Sequence, residues 1–176
     1  RILSLDFSRV SGQADRLAIN FNNYCCGALD DFAFLYEAYY YPGFKQEMKE
    51  QPDATTKINF LDRQARNCGA RLYLIIDEYD NFTNVVLNEQ GDEAYHSLTH
   101  ASGFYCDVFK MFKGMFERIF MTGVSPVTLD DLTSGFNIGW NISTDYQFNM
   151  MLGFSETDVR TMFQYYNCLL YTSDAA

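Results

Sequence analysis

One stretch limits the possible folds more than any other: Leu72-Tyr73-Leu74-Ile75-Ile76-Asp77-Glu78-Tyr79-Asp80. Its apolar residues are rich in β-branched and aromatic side chains and follow the turn-prone Cys68-Gly69-Ala70, which predicts a strand buried on both faces. Such strands belong to parallel sheets covered by helices, where ligands sit beyond the carboxyl ends of the strands. Asp77 and Glu78 stand at that end. Adjacent carboxylates repel each other, so the pair is costly unless a cation, a water or hydrogen-bond donors use it.

A Walker B element accounts for the pair. In it Asp77 holds Mg²⁺ through the ion's water shell, while Glu78 orients and deprotonates an attacking water. Side chains alternate across a strand, so one acid faces the metal and its neighbour the γ-phosphate. A buried strand that runs into an acidic, solvated turn at Asp80-Asn81 fits the same residues. An apolar run ending in Asp-Glu leaves both readings open.

With 176 residues, 48% of them hydrophobic and 17% aromatic, the chain is long and apolar enough for one domain with a sizeable core. Its net charge of −10 argues against nucleic-acid binding by this segment, because phosphate contacts need a basic surface. Neither a run of about 18 apolar residues nor a basic-then-apolar leader is present, so the expectation is a cytoplasmic protein with no membrane partner. The five cysteines include no C-x-x-C pair and are expected to be reduced and buried. His96 and His100 have metal-binding helical spacing but no evident third ligand, which favours a packed or surface pair. Arg118 and Arg160 stay open between phosphate contact and solvated charge.

Taken in order, residues 2–7 predict a strand and residues 15–24 a helix. Asp30 or Asp31 is expected to cap a second helix with an aromatic core face of Phe32, Leu35, Tyr36, Tyr39 and Tyr40, stopped by Pro42-Gly43. Residues 44–56 are polar, with a loop at Pro52-Asp53. A short helix capped by Thr55 or Thr56 then carries Ile58, Leu61 and Ala65. Beyond the central strand come a loop to Gly91, two helical stretches over 92–116, and a strand over 118–125 that ends in hydroxyl residues. Residues 126–137 predict a loop and a short helical piece capped by Asp130 or Asp131, and residues 138–143 a last short strand. Ser155 and Asp158 form a capping box for a helix whose apolar face is Val159, Met162, Phe163 and Tyr166.

Four segments in order, Ile75-Ile76-Asp77-Glu78-Tyr79-Asp80, Met121-Thr122-Gly123-Val124-Ser125-Pro126, Ser134-Gly135-Phe136-Asn137 and Leu152-Gly153-Phe154-Ser155-Glu156, resemble the signatures of the AAA-ATPase-like family. Leu5-Asp6-Phe7-Ser8 is similar to that family's strand after the P-loop helix. The resemblance implies an α/β fold with a parallel P-loop-type, additional-strand sheet flanked by helices. It also implies ATP and Mg²⁺ as cofactors, Asp77 as the metal ligand, Glu78 as catalytic base, and Thr122 or Ser125 near the sensor position. Proteins of the family often carry a C-terminal PD-(D/E)XK nuclease domain, so a fused nuclease is an implied partner.

No G-x-x-x-x-G-K-[ST] occurs in the chain. The family places that loop just upstream of the strand with which this chain opens, so truncation is the expected explanation, and activity is expected only in the intact protein. The domain expectation is an AAA-like core over 1–152 lacking its first strand and P-loop, the start of a helical segment over 153–168, and a non-native tail over 169–176. A missing central strand leaves an unpaired edge, so poor solubility is expected. Two other functions compete: a nucleotide-dependent switch without hydrolysis, and a metal-dependent nuclease using Asp77, Glu78 and Asp80. For the nuclease, Glu47-Met48-Lys49 and Pro52-Asp53 come in the wrong order.

Overall fold

The computed structural model describes residues 1–10, 16–81, 84, 86, 104–124, 140–143, 145–151 and 153–166, with the backbone alone for 104–107. Ser125, the His96/His100 pair, the helical stretch around Tyr95 and Leu98, the piece over 126–137, Ile138-Gly139, Cys168 and the tail over 169–176 lie outside the described residues. The chain divides into two compact units, Arg1–Asn137 and Ile138–Ala176.

The first unit is α/β. Strands β1 (Ile2–Asp6), β2 (Tyr73–Asp77) and β3 (Arg118–Met121) form a parallel sheet in the order β1-β2-β3. Leu5 lies opposite Ile76, and Ile76 opposite Met121. Helices α1 (Leu17–Tyr36), α2 (Phe44–Glu50) and α3 (Ala54–Asn67) separate β1 from β2, and α4 (Phe104–Met115) precedes β3.

Alternation along the strands puts Leu3, Leu5, Leu74 and Ile76 in one hydrophobic cluster with Phe21, Leu29, Leu61, Phe109 and Phe112 of the helices. The opposite face is not covered in the same way, since Ile75 is 37% and Phe120 38% exposed. The expectation of burial on both faces is therefore corrected. A continuous apolar run permits two covered faces, but the helices that bury Leu74 and Ile76 decide how many there are.

Helix α1 is one helix of 20 residues, not two. Asp30 lies within it, and its carboxylate accepts a hydrogen bond from the Lys57 ammonium instead of capping a new start. Phe21, Cys25, Leu29 and Phe32 are buried at successive turns, so burial on one face carries the helix through Cys26-Gly27. Of the expected aromatic stripe, Phe32 enters the core, whereas Leu35 and Tyr39 are 66% and 59% exposed. Two tyrosines of α1 cover the outer edge of β1: the Tyr24 hydroxyl accepts from Asp6 N–H at 2.6 Å and the Tyr36 hydroxyl from Ile2 N–H at 3.3 Å.

The polar segment after Pro42 holds an unexpected helix. Phe44 and Met48, four residues apart in α2, are both fully buried, and Gly43 at φ 97° supplies the left-handed turn that enters it. The cap of α3 is Asp53, not Thr55 or Thr56. Its carboxylate accepts from Thr56 N–H at 2.8 Å, and the Thr56 hydroxyl accepts from Asp53 N–H at 3.2 Å. Cys25 is buried, Cys26 half-buried and Cys68 exposed, all as free thiols.

In the second unit, residues 140–143 are irregular and correct the expected strand. The Asn141 side chain accepts from Ser143 N–H at 3.0 Å, offering the backbone a turn in place of a ladder. Helix α5 (Glu156–Tyr165) has the expected Ser155–Asp158 capping box. Its expected apolar face is not buried, with Met162 46% and Tyr166 68% exposed.

Candidate functional site

Parallel strands joined by helices bring their carboxyl ends to one side of the sheet, where the sequence places its acids. Asp77 closes β2 and is exposed. Its Oδ1 accepts from Glu78 N–H at 3.0 Å and from the hydroxyl of Thr122, the residue just past β3. The neighbouring strand thus supplies a hydroxyl directly to the acid. Asp6, opposite Asp77 in the register, is engaged elsewhere: its carboxylate accepts from Ser8 N–H at 3.0 Å and the Ser8 hydroxyl at 2.6 Å.

Glu78 has φ 49°, the one non-glycine in the left-handed region among the described residues. A residue with a Cβ costs about 1–2 kcal/mol there. The reversal begins a tight turn in which Asn81 N–H donates to the Glu78 carbonyl at 3.0 Å. The Glu78 side chain is left exposed where the strand ends.

The turn after Glu78 is tied to both flanking strands. Tyr79 N–H donates to the Thr122 carbonyl at 3.0 Å, and the Asn81 amide donates to the Phe7 carbonyl just past β1 at 3.2 Å. Asp80 is 1% exposed, and its two carboxylate oxygens accept from Val124 N–H at 3.2 Å and the Asn84 amide at 3.0 Å. Asn84 N–H also donates to the Asp80 carbonyl, and Asn81 and Asn84 are helical where a loop was expected. A Cβ on Gly123 would lie 2.5 Å from both Asp80 Oδ1 and Tyr79 Cε1, which explains a glycine at this position.

Sequence reasoning assigned Asp77, Glu78, Thr122 and Ser125 to the site. The structure brings Asp77 and Thr122 into contact, sets Glu78 beside them, and does not describe Ser125. Sequence reasoning gave Asp80 to a turn or to the nuclease alternative, not to the ATPase site, and did not single out Gly123. The available signal was a third acid two residues after the pair, behind an aromatic residue. Of the nuclease reading, Asp77, Glu78 and Asp80 lie here, whereas the acids of its E-x-K and P-D pairs lie elsewhere: the Glu47 carboxylate, on α2, accepts from the Tyr41 hydroxyl at 2.8 Å, and Asp53 caps α3.

No group of three His, Cys, Asp or Glu side chains able to hold a metal ion occurs among the described residues. Asp77 therefore offers a single carboxylate with an ordered hydroxyl beside it. Such a donor set suits Mg²⁺, which keeps several waters and takes one or two carboxylates plus substrate phosphates. No helix among the described residues is long and apolar enough to cross a membrane.

A family model described as a predicted AAA-ATPase matches residues 1–133, three quarters of the chain. The match contains all three strands and the turn at Asp77–Asp80. No curated protein and no solved structure matches the chain.

Proposed function

The chain belongs to the AAA-ATPase-like family, and on that premise we propose that it carries the acid end of an ATP-binding and ATP-hydrolysing site. One observation supports this above the rest: a paired Asp77-Glu78 at the carboxyl end of the central parallel strand, with the Thr122 hydroxyl of the next strand bonded to Asp77.

Asp77 would hold Mg²⁺ through its water shell, with the Thr122 hydroxyl fixing the carboxylate's orientation. Bound there, the ion would supply charge neutralisation at the β- and γ-phosphates. Glu78 accepts the proton of the attacking water. Its left-handed backbone turns the side chain off the line of the strand, so the two acids serve different atoms. Thr122, whose hydroxyl bonds to Asp77, takes the sensor role in this reading, with Ser125, three residues on in the sequence, as the alternative. Phosphate grip by backbone N–H groups and a lysine belongs to a G-x-x-x-x-G-K-[ST] loop, which these 176 residues lack.

Glu78→Gln in the full-length protein separates the roles. Mg·ATP binding should persist while hydrolysis falls by at least about a hundredfold. Hydrolysis unchanged by the substitution would remove Glu78 as base. Binding without turnover in the wild type would favour the switch reading.

A further inference from the structure

Buried carboxylates need donors, and where those donors are backbone groups of another element the carboxylate becomes a mechanical tie. Asp80 is such a case. We infer that Asp80 is a positioning residue, whose buried carboxylate holds the end of β3, and with it Thr122, against the Asp77-Glu78 turn. The importance of that position rests on the ATPase reading above; the tie itself does not.

Four observations support it. Asp80 is 1% exposed, so no bulk water substitutes for its partners. Its Oδ1 accepts from Val124 N–H, two residues past Thr122, while its Oδ2 accepts from Asn84 of its own segment. The strand ends are joined four times, through Thr122 N–H to the Ile76 carbonyl, the Thr122 hydroxyl to Asp77, Tyr79 N–H to the Thr122 carbonyl and Val124 N–H to Asp80, and of these four the last alone lies past Gly123. Finally, Gly123 lies between these bonds, and a Cβ there would collide with Asp80 Oδ1 and the Tyr79 ring. The backbone on either side of Gly123 is thus fixed by two partners that both lie directly after Glu78. Val124 is 88% exposed, so its side chain does not hold this segment in place.

Asp80→Asn is the milder variant, since its oxygen can still accept from Val124 N–H while its NH₂ donates to the Asn84 amide oxygen once that amide turns over. Asp80→Ala removes both acceptors. In the full-length protein two measurements are made on each variant, with the full effect expected of Asp80→Ala and a smaller one of Asp80→Asn. Amide exchange at Val124 and Tyr79 should accelerate by at least about tenfold, while exchange at Tyr73 N–H, which donates to the Arg1 carbonyl, stays unchanged. For ATP hydrolysis, kcat should fall about tenfold with KM altered by less than about twofold, because the metal ligand and base are present but misplaced.

Unchanged exchange at Val124 and Tyr79 overturns the tie, whatever happens to turnover. Accelerated exchange at Tyr73 as well marks general loosening and overturns it too. Local exchange with kcat unchanged leaves the tie but removes its positioning role. If the wild-type protein does not hydrolyse ATP, the ATPase reading fails, and the exchange measurement still decides whether the tie exists. Should both variants fail to fold, Asn84→Ala, which removes only the donor to Oδ2, must show the same local pattern at smaller size; its absence overturns the inference.

Discussion

Lys57 and Asp80 are the two buried charged side chains among the described residues, at 3% and 1% exposure, yet they belong to different regions. Lys57 sits in the helical layer. From α3 its ammonium donates to Asp30 Oδ1 of α1 and to the Met48 carbonyl near the end of α2, each at 2.6 Å. It joins three helices and lies beside none of the candidate site residues. Asp80 sits at the strand ends, takes a backbone N–H from Val124 just past the next strand, and follows the acid pair by two residues. Burial of a charge therefore does not by itself mark a site. What distinguishes Asp80 is its place at the carboxyl end of a parallel sheet, where groups from separate strands converge.

The largest expected effect falls on the Lys57 side. Asp30→Ala strands an ammonium in the core with one carbonyl as partner. The loss should be about 3 kcal/mol, the low end for a broken buried pair because the Asp30 side chain is 37% exposed. Thermal melts should drop by about 6–12 °C for a chain of this size. Lys57→Met, which removes the charge and keeps the volume, should cost far less. Neither change should alter amide exchange at Val124. If Asp30→Ala accelerated that exchange selectively, the two regions would be coupled and the contrast would break.

Next comes Gly123→Ala. Its Cβ must displace Asp80 or the Tyr79 ring, at about 2 kcal/mol for overpacking a tight contact. Chemical denaturation should show this loss, and a neutral result would mean that the strand ends yield easily.

Glu78→Gly tests the opposite sign. Glycine accepts φ 49° without penalty, so equilibrium denaturation should show a gain of about 1 kcal/mol, while hydrolysis is lost with the side chain. A destabilised variant would show that the left-handed turn carries no strain.

The smallest effect is the acid response of α3. Hydrogen bonds from Thr56 N–H and its hydroxyl hold Asp53 below the ordinary carboxylate value of 3.8. A depressed folded-state value means that the cap's contribution is complete above the unfolded value and lost as pH falls through the folded one. Protection of Thr56 N–H, measured relative to the intrinsic exchange rate at each pH, should be constant above about pH 5 and fall as pH drops below 3.8 through the folded-state value, with little change in global stability.

Several elements were legible because their causes are local. Phe104, Val108, Phe112 and Met115 at helical spacing gave α4; Ser155 and Asp158 gave the start of α5; the apolar run to Ile76 gave β2. Asp77 and Glu78 were legible because two adjacent acids after such a run demand a chemical use. The misses had distant causes. Asp30 looks like a cap until Lys57, 27 residues later, claims its carboxylate. Asp53 and Thr56 compete for one cap position, and only backbone geometry chooses between them.

By itself, then, the sequence determined the α/β class, the family, and the end of the sheet where the acids gather. The class and the acid end follow from hydrophobic period and from residue types whose proximity is covalent, and the family from the resemblance of four ordered segments. Only the tertiary structure decided that Thr122 reaches Asp77 across 45 residues, that Gly123 must lack a side chain, and that Asp80 is buried rather than solvated. Each depends on two strand ends lying a few ångströms apart, a distance set by packing of the whole sheet and written in no single stretch of chain.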